Sequence, residues 1–260
     1  MRINPIIICL ILFCGISGVV TANEQLVQTI AQVKPAIVGV GIHQANARPQ
    51  SRLHGTGFVI GNGHYIVTNY HVLAQDIKIE AKQKRVIFVG FGKKSEVRNI
   101  EVVAYSKRHD IAILKQNGPK LPTLKLHQDQ FIAEGESIAF TGFPIGAVLG
   151  LYPVTHKGIV ASITPVVIPV MASTQLSPSM VKVLKNPYLV YQLDATAYPG
   201  NSGSPVYLQS NGEVVAVINK VFVQKTKESA ITNPSGITYA IPIKFLNELI
   251  QEQKLNIYSP

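Results

Sequence analysis

The sequence has 260 residues and a formal net charge of +10, from 24 Lys and Arg against 14 Asp and Glu. Its two cysteines, Cys9 and Cys14, lie near the start, which excludes a disulfide framework in the rest of the chain. The sequence contains no zinc-ligand spacing, phosphate-binding glycine loop or nucleic-acid motif, so no metal, organic cofactor or nucleic-acid partner is predicted.

The N-terminal 22 residues have the features of a secretory signal peptide. A short basic start precedes an apolar run, Ile6 to Phe13, that is shorter than the ~20 residues needed to span a bilayer. We predict that residues 1–22 are removed by cleavage before Asn23 and that the protein is secreted or periplasmic. A lipoprotein anchor at Cys14 is the alternative, disfavoured by the bulky Phe13. No second long apolar segment follows, so no transmembrane segment is predicted in the mature chain.

The basic residues cluster in two stretches, Lys78 to Arg85 and Lys93 to Arg98. Such clusters can mark a surface that binds polyanions. These cations alternate with apolar residues, however, which is typical of the solvated faces of strands. A polyanion-binding module therefore stays an alternative that rests on charge alone.

Periodicity predicts a helix near each end of the chain, over Glu24 to Val33 and Lys244 to Gln253. Between them, short β-branched runs separated by turn signals predict strands. The first series is Ala36–Ile42, Gly57–Ile60, Tyr65–Thr68, Asp76–Glu80, Arg85–Val89, Ile100–Ala104 and Ile111–Leu114. The second is Ser137–Phe140, Thr155–Ile163, Leu189–Leu193, Pro205–Leu208, Val214–Phe222 and Ile237–Ile241.

Two series of about six short strands predict two packed antiparallel barrels. We place barrel one at about 36–116, a polar linker at 117–130, barrel two at about 131–242 and the C-terminal helix at about 243–253. Residues 164–187 are apolar but contain four prolines, so we expect a long surface loop there. The predicted fold is all-β, with two six-stranded antiparallel β-barrels and short N- and C-terminal helices.

The stretch Ala197 to Val206, AYPGNSGSPV, contains a candidate nucleophile, Ser202. A serine hydroxyl needs a nearby base and backbone N–H groups directed at the developing oxyanion. Gly200 and Gly203 free the backbone, so the N–H groups of Gly200 and Ser202 could point into one hollow, with Asn201 shaping the turn. By composition alone, the stretch also fits a plain turn between strands.

His71 is the candidate base among seven histidines. It follows the apolar segment Tyr65 to Tyr70 and precedes Val72-Leu73, at the rim of a core. Most of the other histidines follow polar or glycine-rich residues and are expected in exposed loops. Taken alone, His71 also fits a packed structural histidine.

The carboxylate that orients the base is chosen by elimination among four aspartates. Asp129 lies in the predicted linker, Asp76 is close in sequence to the histidine, and Asp194 is better suited to support the serine loop. Asp110 directly precedes the strand 111–114, where an uncompensated carboxylate would be unfavourable. Asp110 is therefore the predicted partner of the base.

The order His71, Asp110, Ser202 is the chain order of chymotrypsin-fold proteases, and the surrounding segments resemble the HtrA/Deg branch. The segments are Gly55-Thr56-Gly57-Phe58, Thr68-Asn69-Tyr70-His71-Val72, His109–Leu114 and Gly200-Asn201-Ser202-Gly203, with weaker ones at Thr141–Gly146, Gly158–Ser162 and Gly236–Pro242. The resemblance covers about residues 24–253. It implies one serine protease domain over residues 23–260 with the triad in the cleft between the barrels.

The resemblance further implies an oxyanion hole at Gly200, Asn201 and Ser202, no metal or organic cofactor, and an acyl-enzyme mechanism on unfolded or extended polypeptides. Two departures limit this transfer. Ser204 stands where the HtrA branch usually has glycine, a feature of glutamyl-endopeptidase relatives, and no PDZ-like segment follows the protease domain. A homo-oligomer is compatible with the resemblance but is not required by it.

The resemblance also assigns a specificity pocket, with Thr196 at its floor and the strand residues Ile218, Asn219 and Lys220 along one wall. Thr196 is uncharged and Lys220 would repel a cation, which argues against cleavage after Lys or Arg. Glutamyl endopeptidases normally have a histidine where this sequence has Asn219, so a strong acidic preference is not expected.

We therefore predict a serine endopeptidase that cleaves after small or medium aliphatic residues. Glutamyl-endopeptidase-like specificity is one alternative. The other is a non-catalytic protease-fold protein that binds peptides, as a chaperone or adhesin would.

Overall fold

The computed structural model describes residues 22–73, 82–128, 131–145, 150–166, 185–219 and 236–259. These residues form two closed six-stranded antiparallel barrels, flanked by helix α1 (Ala22–Val33) and by a C-terminal helix. The predicted all-β fold of two such barrels with short terminal helices is confirmed. No helix of the described ranges is both long enough and apolar enough to cross a membrane.

Barrel one has the strand order β1-β2-β3-β6-β5-β4, closed by pairing of β1 with β4. Its strands are β1 (Ile37–Gln44), β2 (Ser51–Ile60), β3 (Tyr65–Thr68), β4 (Gln83–Val89), β5 (Glu96–Ser106) and β6 (Ile111–Gln116). A single helical turn, α2 (Tyr70–Leu73), follows β3. The run predicted at Asp76–Glu80 lies outside the described residues.

Barrel two has the order β10-β11-β12-β9-β8-β7, closed by pairing of β7 with β10. Its strands are β7 (Ser137–Gly142), β8 (Val154–Pro165), β9 (Leu189–Asp194), β10 (Pro205–Leu208), β11 (Val214–Asn219) and β12 (Ile237–Pro242). Helix α3 (Lys244–Glu252) follows β12 and buries Phe245, Leu246 and Leu249.

The two barrels share a continuous apolar interface. Val217 and Ile241 of barrel two belong to the same buried cluster as Phe58 and Val67 of barrel one. Val215 and Ile218 belong instead to the interior cluster of barrel two, so both sides of β11 are buried. This burial explains why β11 is a nearly continuous apolar run.

The segment predicted as a polar linker packs along both barrels. Leu124 and Leu126 are buried, because alternate residues of an extended chain face the same side. The N–H of Leu124 donates to the Val59 carbonyl at 2.9 Å, and Leu126 pairs with Val214 of β11. The polar composition of the segment did not predict the burial of Leu124 and Leu126.

Two other predictions lie partly outside the described residues. The expected loop 164–187 starts later than predicted, because Thr164 and Pro165 still pair with β9, and residues 167–184 are not described. The predicted signal peptide lies outside the described ranges except for Ala22, where α1 begins.

Candidate active site

His71 and Asp110 meet because their strands are neighbours. Antiparallel β3 and β6 pair Thr68 with Ala112, so the residues just after β3 and just before β6 lie at one edge of the barrel. Nδ1 of His71 lies 2.6 Å from Oδ2 of Asp110, and the His71 main-chain N–H donates to Oδ1 at 2.8 Å. The structure thus brings these two predicted site residues into direct contact.

The backbone of Asp110 is held in an unusual conformation, with a φ of 51°. Its carbonyl accepts hydrogen bonds from the Asn69 side-chain amide at 3.0 Å and from the Tyr70 N–H at 3.2 Å. Residues in the left-handed region persist only where the surroundings determine them, and they cluster at functional sites. Asn69 is a supporting residue that the sequence did not single out.

The bond to Asp110 fixes the tautomer of His71. A carboxylate can only accept, so Nδ1–H of the imidazole is the donor and Nε2 is left as an acceptor. Nε2 is buried and has no hydrogen-bond partner among the described residues. A ring in this state can accept a proton at Nε2.

The serine loop between β9 and β10 takes its shape from two glycines and three backbone hydrogen bonds. Gly200 and Gly203 have φ values of 103° and 87°, which only glycine adopts readily. The N–H groups of Asn201, Gly203 and Ser204 donate to the carbonyls of Tyr198, Ile218 and Asn201, at 3.0, 3.0 and 2.9 Å.

Of the three residues predicted to form the oxyanion hole, these hydrogen bonds engage the N–H group of one, Asn201. The N–H of Asn201 is engaged within the turn, so it is not available to a ligand. The N–H groups of Gly200 and Ser202 donate to no carbonyl of the described backbone. The two donors that remain are Gly200 and Ser202.

Gly55 lies where the serine loop comes close to the helical turn that holds the histidine. A Cβ placed on Gly55 would lie 2.7 Å from Val72 Cγ2 and 2.9 Å from the Ser202 carbonyl oxygen. Val72, the residue after His71, and the Ser202 carbonyl therefore both lie close to the Gly55 Cα, in the space that a side chain would fill. Only a residue without a side chain allows this approach.

Ser202 is 3% exposed, and its Oγ has no hydrogen-bond partner among the described residues. No hydrogen bond joins it to Nε2 of His71 within those residues. In unliganded enzymes, catalytic hydrogen bonds are often long and tighten only when substrate binds.

The predicted pocket residues occupy one end of barrel two. Thr196 is half-buried, Ile218 and Asn219 are buried, and Lys220 lies outside the described residues. The Thr238 hydroxyl donates to the Ala195 carbonyl at 2.6 Å and accepts from the Ala197 N–H at 3.1 Å.

Thr238 therefore holds the backbone on both sides of Thr196. Sequence reasoning missed Thr238, since only the pairing of β12 with β9 brings it to this segment.

Two of the histidines outside the proposed triad are half-buried. His109 stacks on Phe245 of α3 at 4.1 Å and meets Tyr188 edge-on at 4.8 Å. Burial, together with the charges of Arg108 and Lys244, lowers the pKa of His109 to about 4.

His156 lies in β8, where it stacks on Phe140 at 4.9 Å. Burial lowers its pKa as well. His109 lies in a turn but is half-buried because Phe245 of α3 covers it, whereas His156 lies within the strand predicted at Thr155–Ile163.

Comparison with known proteins places this geometry in a family. The profile of the "Trypsin-like peptidase domain" matches residues 55–217, a range that includes His71, Asp110 and Ser202. A "Probable periplasmic serine endoprotease DegP-like" of Pseudomonas putida (strain W619) is 32% identical over 189 residues, 73% of this chain and 32% of the relative. A protein of the same description from Halomonas elongata is 28% identical over 194 residues, 75% of this chain and 34% of the relative.

The chain spans about a third of the length of these curated relatives. Among solved structures, the HtrA-type protease AlgW with a tripeptide aligns with a TM-score of 0.63 at 21% identity, over 87% of this chain and 62% of that one. The serine endoprotease from Yersinia pestis aligns with a TM-score of 0.62 at 20% identity, over 89% and 67%. The chain therefore belongs to the trypsin-like peptidase family, with HtrA/DegP-like homologues over most of its length.

Proposed function

We propose that the protein is a serine endopeptidase that acts by acyl transfer. The observation that carries the proposal is the 2.6 Å contact of His71 Nδ1 with Asp110, which leaves the buried Nε2 without a hydrogen-bond partner among the described residues, where the buried Oγ of Ser202 has none either. Ser202 Oγ attacks the peptide carbonyl carbon while His71 Nε2 takes the hydroxyl proton. His71 then donates that proton to the leaving amine, and Asp110 stabilises the imidazolium.

The tetrahedral intermediate places negative charge on the former carbonyl oxygen. In our proposal the N–H groups of Gly200 and Ser202 donate to this oxyanion. One such donor is worth about 3 kcal/mol of transition-state stabilisation in serine proteases. Water activated by His71 then hydrolyses the acyl-enzyme and restores Ser202.

We further propose that the substrates are unfolded or extended polypeptides and that the protein works in the periplasm or outside the cell. Support comes from the DegP-like relatives, which are named as periplasmic endoproteases, and from the signal-like residues 1–22. The uncharged Thr196 favours cleavage after small or medium aliphatic residues, whereas the Ile218 side chain packs in the interior of barrel two.

Labelling with a fluorophosphonate tests the proposal, since this reagent forms a covalent bond only with an activated serine. Wild type should be labelled at Ser202, identified by mass spectrometry, and should degrade an unfolded protein. Ser202→Ala should do neither.

Ser204→Ala is the matched control, because it removes a second buried hydroxyl two residues away and should still be labelled. A folded wild-type protein that binds unfolded polypeptide without labelling or cleavage would support the non-catalytic alternative.

A further inference from the structure

Thr56 of β2 connects barrel one to the serine loop through both its backbone and its side chain. Its N–H donates to the Ser202 carbonyl at 2.8 Å, and its Oγ1 donates to the Gly200 carbonyl at 2.8 Å. Thr56 and Gly200 are 144 residues apart in sequence, and Thr56 is fully buried. Thr56 of barrel one thus donates hydrogen bonds to the carbonyls of two serine-loop residues, Gly200 and Ser202.

The direction of the Thr56 hydroxyl is determined by its surroundings. Oγ1 also accepts a hydrogen bond from the Phe143 N–H at 3.0 Å. A hydroxyl has one proton, so a hydroxyl that accepts from an N–H uses that proton for its other partner, here the Gly200 carbonyl. The Phe143 contact therefore orients the proton toward the serine loop.

The bond to Gly200 matters because of the peptide group to which that carbonyl belongs. The Gly200 carbonyl and the Asn201 N–H form one plane, and they point in opposite directions in a trans peptide. With the carbonyl held by Thr56, the Asn201 N–H points to the Tyr198 carbonyl, to which it donates at 3.0 Å. This peptide lies between the Gly200 N–H and the Ser202 N–H.

Glycine gives this peptide freedom to rotate. The φ of Gly200 is 103°, and a glycine can exchange such a conformation for others at little steric cost. Any rotation would change the angle between the Gly200 and Ser202 N–H groups. The hydrogen bond from the fully buried Thr56 opposes this rotation, together with the bond from the Asn201 N–H to the Tyr198 carbonyl.

Thr56 is also linked to the end of β3, which leads to the histidine. The Thr68 hydroxyl donates to the Thr56 carbonyl at 2.7 Å, and His71 follows three residues later. A Cβ on Gly142 would lie 2.8 Å from Thr56 Oγ1, so the β7 backbone closes the other side. Thr56 therefore occupies a fixed position between the base and the nucleophile.

We infer that Thr56 is a positioning residue of the oxyanion hole, an inference that rests on the proposed peptidase function. Its hydroxyl holds the Gly200–Asn201 peptide so that the N–H groups of Gly200 and Ser202 converge on one oxygen. Convergence matters only when negative charge develops on that oxygen. Loss of the hydroxyl should therefore reduce kcat and leave KM nearly unchanged.

The test compares four variants with wild type. Thr56→Val keeps the shape and removes the hydroxyl, Thr56→Ala does the same with a smaller side chain, and Thr56→Ser keeps the hydroxyl. Thr141→Val is the matched control, since the Thr141 hydroxyl is equally buried but bonds to Thr155 and Tyr207 within barrel two. Circular dichroism identifies which variants are folded, so the comparison does not depend on a single replacement.

We expect Thr56→Val and Thr56→Ala to lose about 10²-fold in kcat, comparable with the loss of one oxyanion donor. Affinity for a peptide aldehyde, which forms a tetrahedral adduct with the serine, should fall in parallel, whereas affinity for a cleaved product peptide should not. Thr56→Ser should retain most of the activity, and Thr141→Val should lose stability without this loss of kcat.

Wild-type kcat in a folded Thr56→Val or Thr56→Ala protein would overturn the inference. So would a Thr56→Ser variant as impaired as these, or an equal loss of kcat in Thr141→Val. A wild-type protein without any turnover would instead count against the proposed function.

Discussion

Both carboxylate oxygens of Asp110 are engaged by His71, one by the ring Nδ1 at 2.6 Å and the other by the main-chain N–H at 2.8 Å. The same residue thus anchors the ring and the helical turn on which the ring sits. The ring is 34% exposed and the carboxylate 13%, so the pair lies at the rim of the interior. Part of the His71 side chain is open to solvent, whereas its Nε2 atom and most of the aspartate side chain are covered.

Asp110→Asn should abolish most activity with little effect on folding. The amide is nearly isosteric, but its N–H₂ group favours the tautomer of His71 that has its proton on Nε2. By comparison with serine proteases in general, kcat should fall about 10⁴-fold. Steady-state kinetics and thermal melting measure the two effects.

Asp194→Asn is the control for this prediction, because Asp194 is exposed at the end of β9. Its activity should be close to that of wild type. An inactive Asp194→Asn together with an active Asp110→Asn would refute the assignment of the carboxylate.

Gly55→Ala should impair both stability and activity. The new methyl group would lie closer than van der Waals contact to Val72 and to the Ser202 carbonyl, so α2 and the serine loop would have to move apart. Overpacking of this kind costs about 1–3 kcal/mol of unfolding free energy. Denaturant titration and turnover are the measurements.

Gly236→Ala is the matched change at an uncrowded glycine, since no described residue lies within 4 Å of a Cβ built there. It should leave stability and activity close to those of wild type. If the two alanine variants behave alike, the approach of α2 to the serine loop does not depend on the missing side chain at Gly55.

Thr238→Val should weaken discrimination at the predicted specificity pocket. The hydroxyl holds the Ala195 carbonyl and the Ala197 N–H, so its loss releases the segment that carries Thr196. A methylene group in a pocket is worth about 1–3 kcal/mol of discrimination. The difference between Leu and Ala substrates in kcat/KM, expressed as free energy, should therefore decrease by no more than about this amount. A peptide-library digest scored by mass spectrometry measures the ratios.

The control is Thr29→Val, which removes a buried hydroxyl in α1 that donates to the Gln209 carbonyl. Its cleavage preference should match that of wild type. A dominant signal after Lys, Arg or Glu in the wild-type digest would contradict the pocket assignment while leaving the triad untouched.

His109→Phe should make stability less dependent on pH. The pKa of His109 is lowered from 6.5 to about 4 in the folded protein, so between these pH values the unfolded chain binds more protons. The free energy of unfolding contributed by His109 is therefore complete above pH 6.5 and is lost as the pH falls toward about 4.

Phenylalanine keeps the stack on Phe245 and cannot be protonated, so the melting temperature of His109→Phe should fall less over this range. His156 acts in the same direction, since burial lowers its pKa too, and the comparison is therefore made between variant and wild type. If the melting temperatures of the variant and the wild type fall equally over this pH range, His109 does not titrate in this way.

The sequence alone was sufficient to predict the two barrels, because strand formation depends on the alternation of apolar residues and on turn residues within a few positions. The runs at Tyr65–Thr68 and Pro205–Leu208 were predicted with the bounds that the structure has. The chain order of His71, Asp110 and Ser202, with its short flanking motifs, was equally local information.

The tertiary structure alone decided which residues support those three. Thr56 reaches Gly200 across 144 residues, Thr238 reaches Ala195 across 43, and His109 is buried by a residue of α3. Each of these positions lies in a segment that carries the family resemblance, but no local pattern shows which distant residue it contacts. Their partners are set by barrel closure and by packing of one barrel on the other, which join segments that are distant in sequence.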